Sequence, residues 1–64
     1  MPKPWTGRLV GKMHTNGVTI QDLADELGYS RGYVSMLLNS EREPDGVRTR
    51  LESAYERVIA KREA

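Results

Sequence analysis

The sequence predicts an all-α fold, a compact bundle of four helices. Apolar residues recur at three- and four-residue spacing in four separate segments. No segment alternates apolar with polar residues as a half-buried strand does. Two of the segments are short and stand only three residues apart. The 64 residues make one domain, expected to span 1–64 with helices at about 4–16, 20–27, 31–39 and 46–62. A chain this short buries only about 60% of its unfolded surface, so its stability margin is thin.

Pro4 suits the first turn of helix 1, where its missing N–H is not needed. Trp5, Leu9 and Met13 recur every four residues and line one face, with Val10 beside them. Asn16-Gly17 has no flanking strands, so Gly17 reads as the left-handed residue that ends the helix. Thr19 is the N-cap of helix 2, and Asp22 reaches back in a variant of the capping box. Ile20, Leu23, Ala24 and Leu27 form its apolar set, and Gly28 terminates it. Ser30 caps helix 3, whose apolar face is Val34, Leu37 and Leu38. Ser40 to Gly46 is a polar loop, and the last helix carries Val47, Leu51, Ala54 and Val58 inward. Tyr55 and Ile59 lie on an adjoining strip.

Composition excludes several classes. Zero Cys and a single His leave no ligand set for a zinc finger and no disulfide. No run approaches the roughly 20 apolar residues of a membrane span, and the N-terminus lacks a signal peptide's apolar run. The expectation is a cytoplasmic protein with no membrane partner, no cofactor and no small-molecule ligand. His14, near the end of helix 1, is expected to offset the helix dipole rather than to catalyse. Asp22, Asp25 and Glu26 are expected to form a solvated face, and enzymatic function is not expected. Net charge is only +1, but residues 1–18 hold Lys3, Arg8 and Lys12 with no acid. Together with Arg31 and Arg42 they could make a small basic surface for nucleic acid if the fold joins them.

The informative stretch is 19–39, TIQDLADELGYSRGYVSMLLN. Two stubby helices joined by Gly28-Tyr29-Ser30 cross at roughly 90–120°, the geometry of a helix-turn-helix. Ala24 is small at the closest approach, Gly28 supplies positive φ, and Tyr29 plugs the angle between the helices. In these residues the chain resembles the phage repressor and Cro-like (XRE-type) helix-turn-helix family. The resemblance spans about 5–60, with Arg42-Glu43-Pro44 similar to the loop after the family's recognition helix. One departure is Ile20, where well-known members often carry Gln. A side-chain phosphate clamp is therefore missing there, leaving Thr19, Gln21 and the helix 2 amides.

The resemblance implies a lambda-repressor-like bundle with helix 31–39 in the major groove of double-stranded DNA. Ser30, Arg31, Gly32, Ser35 and Met36 are then the expected base contacts, with Arg31 foremost because guanidinium bonds bidentately to guanine. Thr19, Gln21, Tyr33, Asn39 and Arg42 are the expected backbone contacts, and the Tyr33 ring and Met36 are within reach of a thymine methyl. Gly32, unfavourable inside a helix, invites an explanation such as close backbone approach to a ligand. The function so implied is a phage- or prophage-type transcriptional repressor or other regulator, binding as a homodimer through Tyr55 and Ile59. An excision or antitoxin subunit would share the same chemistry. The alternative is a protein-interaction adaptor that keeps the fold without binding DNA, motivated by the low net charge and the acidic helix 2.

Overall fold

The structure is a computed structural model that describes residues 4–39 and 44–63. Four helices follow one another: α1 Pro4–Thr15, α2 Ile20–Leu27, α3 Arg31–Asn39 and α4 Val47–Glu63. Helix α1 ends one residue before the expected Asn16, and α4 is shifted one residue along at each end.

Local chemistry accounts for the boundaries. At the end of α1 the Val18 amide donates to the Met13 carbonyl (2.8 Å) and the Gly17 amide to the His14 carbonyl (3.4 Å). This paired closure needs a left-handed residue, and Gly17 has φ 67°. It also turns Val18 inward, where it is buried beside Met13. The N-terminus of α2 carries the full reciprocal cap: Thr19 Oγ1 accepts from the Asp22 amide (3.1 Å), and the Thr19 amide donates to Asp22 Oδ2 (2.9 Å). Gly28 ends α2 with φ 73°, and its amide and that of Tyr29 both donate to the Ala24 carbonyl. Ser30 Oγ accepts from the Tyr33 amide at 3.1 Å and opens α3.

Helix α2 packs on α4 and α3, and α1 packs on α4. The core joins Trp5, Leu9 and Met13 of α1 to Leu23 and Ala24, to Val34, Leu37 and Leu38, and to the α4 stripe from Val47 to Val58. Ala24 is wholly buried, as a small residue at a helix crossing should be. Two positions depart from the expected core. Val10 is 45% exposed, because one helical step from Leu9 carries it off the face toward α4. Thr6, a polar residue, is buried. Among the described residues no buried side-chain nitrogen or oxygen lacks a partner.

Candidate nucleic-acid interface

The turn Gly28-Tyr29-Ser30 sets α3 so that Val34, Leu37 and Leu38 enter the core. The opposite face of α3 is left to solvent. Arg31, Gly32, Tyr33, Met36 and Asn39 are exposed, as is the cap residue Ser30. Ser35 is only half-buried, and Asn39 Nδ2 donates to its carbonyl (2.8 Å) and approaches its hydroxyl (3.4 Å). Ser30 Oγ is engaged by the cap, and Arg31 has no ion pair among the described residues. Tyr33 stands with its ring edge-on to Tyr29, centroids 5.1 Å apart and planes at 88°. Tyr29, half-buried against the core, thereby gives the exposed ring a packing partner on its inner side.

Gly32 has no intramolecular reason to be glycine. It is helical with no positive φ, and a Cβ built there meets no atom within 4 Å.

At the N-terminus of α2, the cap satisfies the amides of Thr19 and Asp22, while those of Ile20 and Gln21 have no intrahelical acceptor. Gln21 Nε2 is turned to Asp25 Oδ1 at 2.8 Å, so one of its donors is already engaged within α2. Arg42 lies outside the described residues.

The acidic face expected on α2 is a correction. Arg57 Nε donates to Glu26 Oε2 (3.0 Å), Lys61 Nζ donates to the other oxygen, and Arg62 Nη2 donates to Asp22 Oδ2 (3.1 Å). Only 13% of the Glu26 side chain is exposed. Both carboxyls are held below the ordinary carboxylate range. For Glu26 the chief cause is the Lys61 hydrogen bond, followed by Arg57. For Asp22 it is the Thr19 amide, with smaller help from the Thr19 hydroxyl and the Arg62 charge. A signal for this was present in the sequence. Asp22 and Glu26 repeat at four residues on one helix, and Arg57 and Lys61 repeat at four on another. Each like-charged pair is unfavourable alone, and the two are complementary when stacked.

Tyr55 is a second correction. Expected at a dimer contact, it is 6% exposed within the monomer core, and its hydroxyl accepts from Asn16 Nδ2 at 2.9 Å. Its ring fills the space between α1 and α4, so it offers little surface to a second copy. Ile59 is half-buried and packs against the same core. The first basic block shares a groove with α4: Arg8 and Lys12 line a space of about 300 Å³ with Arg48, Glu52, Tyr55 and Glu56.

Two short helices crossing at a left-handed glycine, with the second turned outward, define a helix-turn-helix protein. A family model described as Helix-turn-helix matches residues 15–48. The chain belongs to that family, of the repressor and Cro-like (XRE) type, whose members are DNA-binding regulators. No curated protein and no solved structure matches it significantly. None of its helices, among the described residues, is long and apolar enough to cross a membrane.

Proposed function

We propose that the chain is a sequence-specific, phage- or prophage-type transcriptional regulator that binds double-stranded DNA with α3 in the major groove. The observation that carries this reading is the two-sidedness of α3, with an apolar face locked into the core and an outward face of Arg31, Gly32, Tyr33 and Met36. Arg31, at the N-terminal end of α3 and without an ionic partner among the described residues, is assigned to a guanine. The Ile20 and Gln21 amides, at the positive end of α2, are assigned to a phosphate. Pairing Asp22 with Arg62 lowers the negative charge beside that seat.

Single modules of this size specify few bases, so two copies on half-sites about one DNA turn apart complete the proposal. The adaptor alternative loses support, because two of the three acids that motivated it are neutralised by α4.

Selection of bound sites from random double-stranded DNA tests the proposal. An enriched motif with two-fold symmetry is expected, with affinity falling steeply as salt rises. Absence of binding at low salt would overturn it. With a site in hand, Arg31→Ala should relax preference at one base pair by about 1–3 kcal/mol. A uniform loss on all sequences would reassign Arg31 to the backbone.

A further inference from the structure

We infer that Tyr33 and Met36 together form a reader of pyrimidine C5-methyl groups, so that thymine methyls are part of the sequence this protein recognises. The inference rests on the DNA-binding reading above and gives it a base chemistry. Among the described residues three large hydrophobic side chains are exposed, and two of them are Tyr33 (42%) and Met36 (45%) on α3. The third, Val10, is on α1. Tyr33 and Met36 are three residues apart and therefore neighbours on the helix surface.

Both leave much of their apolar surface to solvent, and their surroundings prepare them for contact. Tyr29 packs against the Tyr33 ring in a T-shaped pair, which reduces the freedom the ring has to lose on binding. Met36 is flexible and polarisable and adapts its shape to a small apolar knob. Gly32, one turn before Met36, adds no Cβ, which lets the edge of a base approach the helix. In the major groove, thymine alone of the four bases presents an apolar methyl. Burying one methyl corresponds to about a fourfold change in affinity.

The test uses a selected site in which each thymine of a half-site is replaced in turn by uracil, which removes the methyl and keeps the pairing. The expected result is a loss of about fourfold at one or two positions and little elsewhere. Met36→Ala or Tyr33→Ala protein should bind the thymine and uracil forms of its own position equally. Both side chains are exposed, so melting curves followed by circular dichroism should show the variants folded. If an alanine variant does not fold, Met36→Gln or Tyr33→Gln takes its place in deciding the assignment, and the uracil scan on the unaltered protein decides methyl recognition by itself.

Uracil tolerated at every position overturns the methyl reader while leaving sequence-specific binding intact. Discrimination against uracil that survives in both variants overturns the assignment to these two residues. A selection that enriches no sequence overturns the parent reading, and this inference with it.

Discussion

Arg62 and Asp22 meet at 3.1 Å, and the same guanidinium closes a second contact, with Nη1 donating to the carbonyls of Asn16 (2.9 Å) and Gly17 (3.1 Å). One side chain near the end of α4 thus holds the closing turn of α1 and the cap of α2. Arg62→Met keeps much of the apolar stem and removes all three bonds. The expected cost is about 1 kcal/mol, discounted because the group is partly exposed. Chemical denaturation checks it, and a midpoint unchanged within error would mean that the bonds contribute nothing in solution.

Glu26 takes both Arg57 and Lys61 and so ties α2 to α4. Glu26→Gln should lower the melting temperature at low salt and lower it less at high salt, because screening already weakens the native pairs. An equal drop at both salt concentrations would point to packing rather than charge.

Acid should loosen the same contacts. Folding depresses the carboxyl groups of Asp22 and Glu26 below their ordinary values of 3.8 and 4.5. The folded state therefore binds fewer protons than the unfolded one in this range, and stability rises with pH. Their contribution is fully present above about pH 4.5 and is lost as pH falls through the depressed values. A melting series across this range should show the loss, and Glu26→Gln should flatten it. An identical pH profile in the variant would remove Glu26 from the account.

Gly28 has φ 73°, and a Cβ placed on it touches nothing within 4 Å. The penalty for replacing it is thus conformational and not steric crowding. Gly28→Val should cost about 2 kcal/mol, and Gly28→Asn clearly less, since Asn tolerates the left-handed region. Equal effects of the two substitutions in thermal melts would contradict a left-handed turn.

Gly32 behaves oppositely. Its φ is not positive, and open space surrounds its Cβ position, so Gly32→Ala should leave stability unchanged or raise it by up to about 1 kcal/mol. On the proposed reading of α3, DNA affinity should fall, because the added methyl would stand between the helix and a base edge. A stabilised variant that binds DNA undiminished would show that the glycine serves neither purpose.

Much of this molecule is encoded within a few residues of itself. The Thr19–Asp22 box, the Ser30 cap and the left-handed Gly17 and Gly28 are interactions over three to five positions, and the spacing of side chains reports them directly. The same short-range pattern separates the buried Val34, Leu37 and Leu38 from the exposed face of α3. Which helix lies against which is a different question. Tyr55 meets Asn16 across 39 residues of chain, and Glu26 meets Arg57 across 31. Periodicity marks Tyr55 as a residue on the edge of a stripe, and only the seating of α1 on α4 turns that edge inward. It likewise reads Glu26 as a solvated acid, until α4 brings two cations to it.

Neighbouring residues suffice to specify four helices, the caps of α2 and α3 and the outward face of α3, because backbone hydrogen bonds and left-handed turns are short-range. The tertiary structure alone decided the ionic seam between α2 and α4, the burial of Tyr55 and the exposure of Val10. Those depend on the relative rotation of packed helices, which no local spacing records.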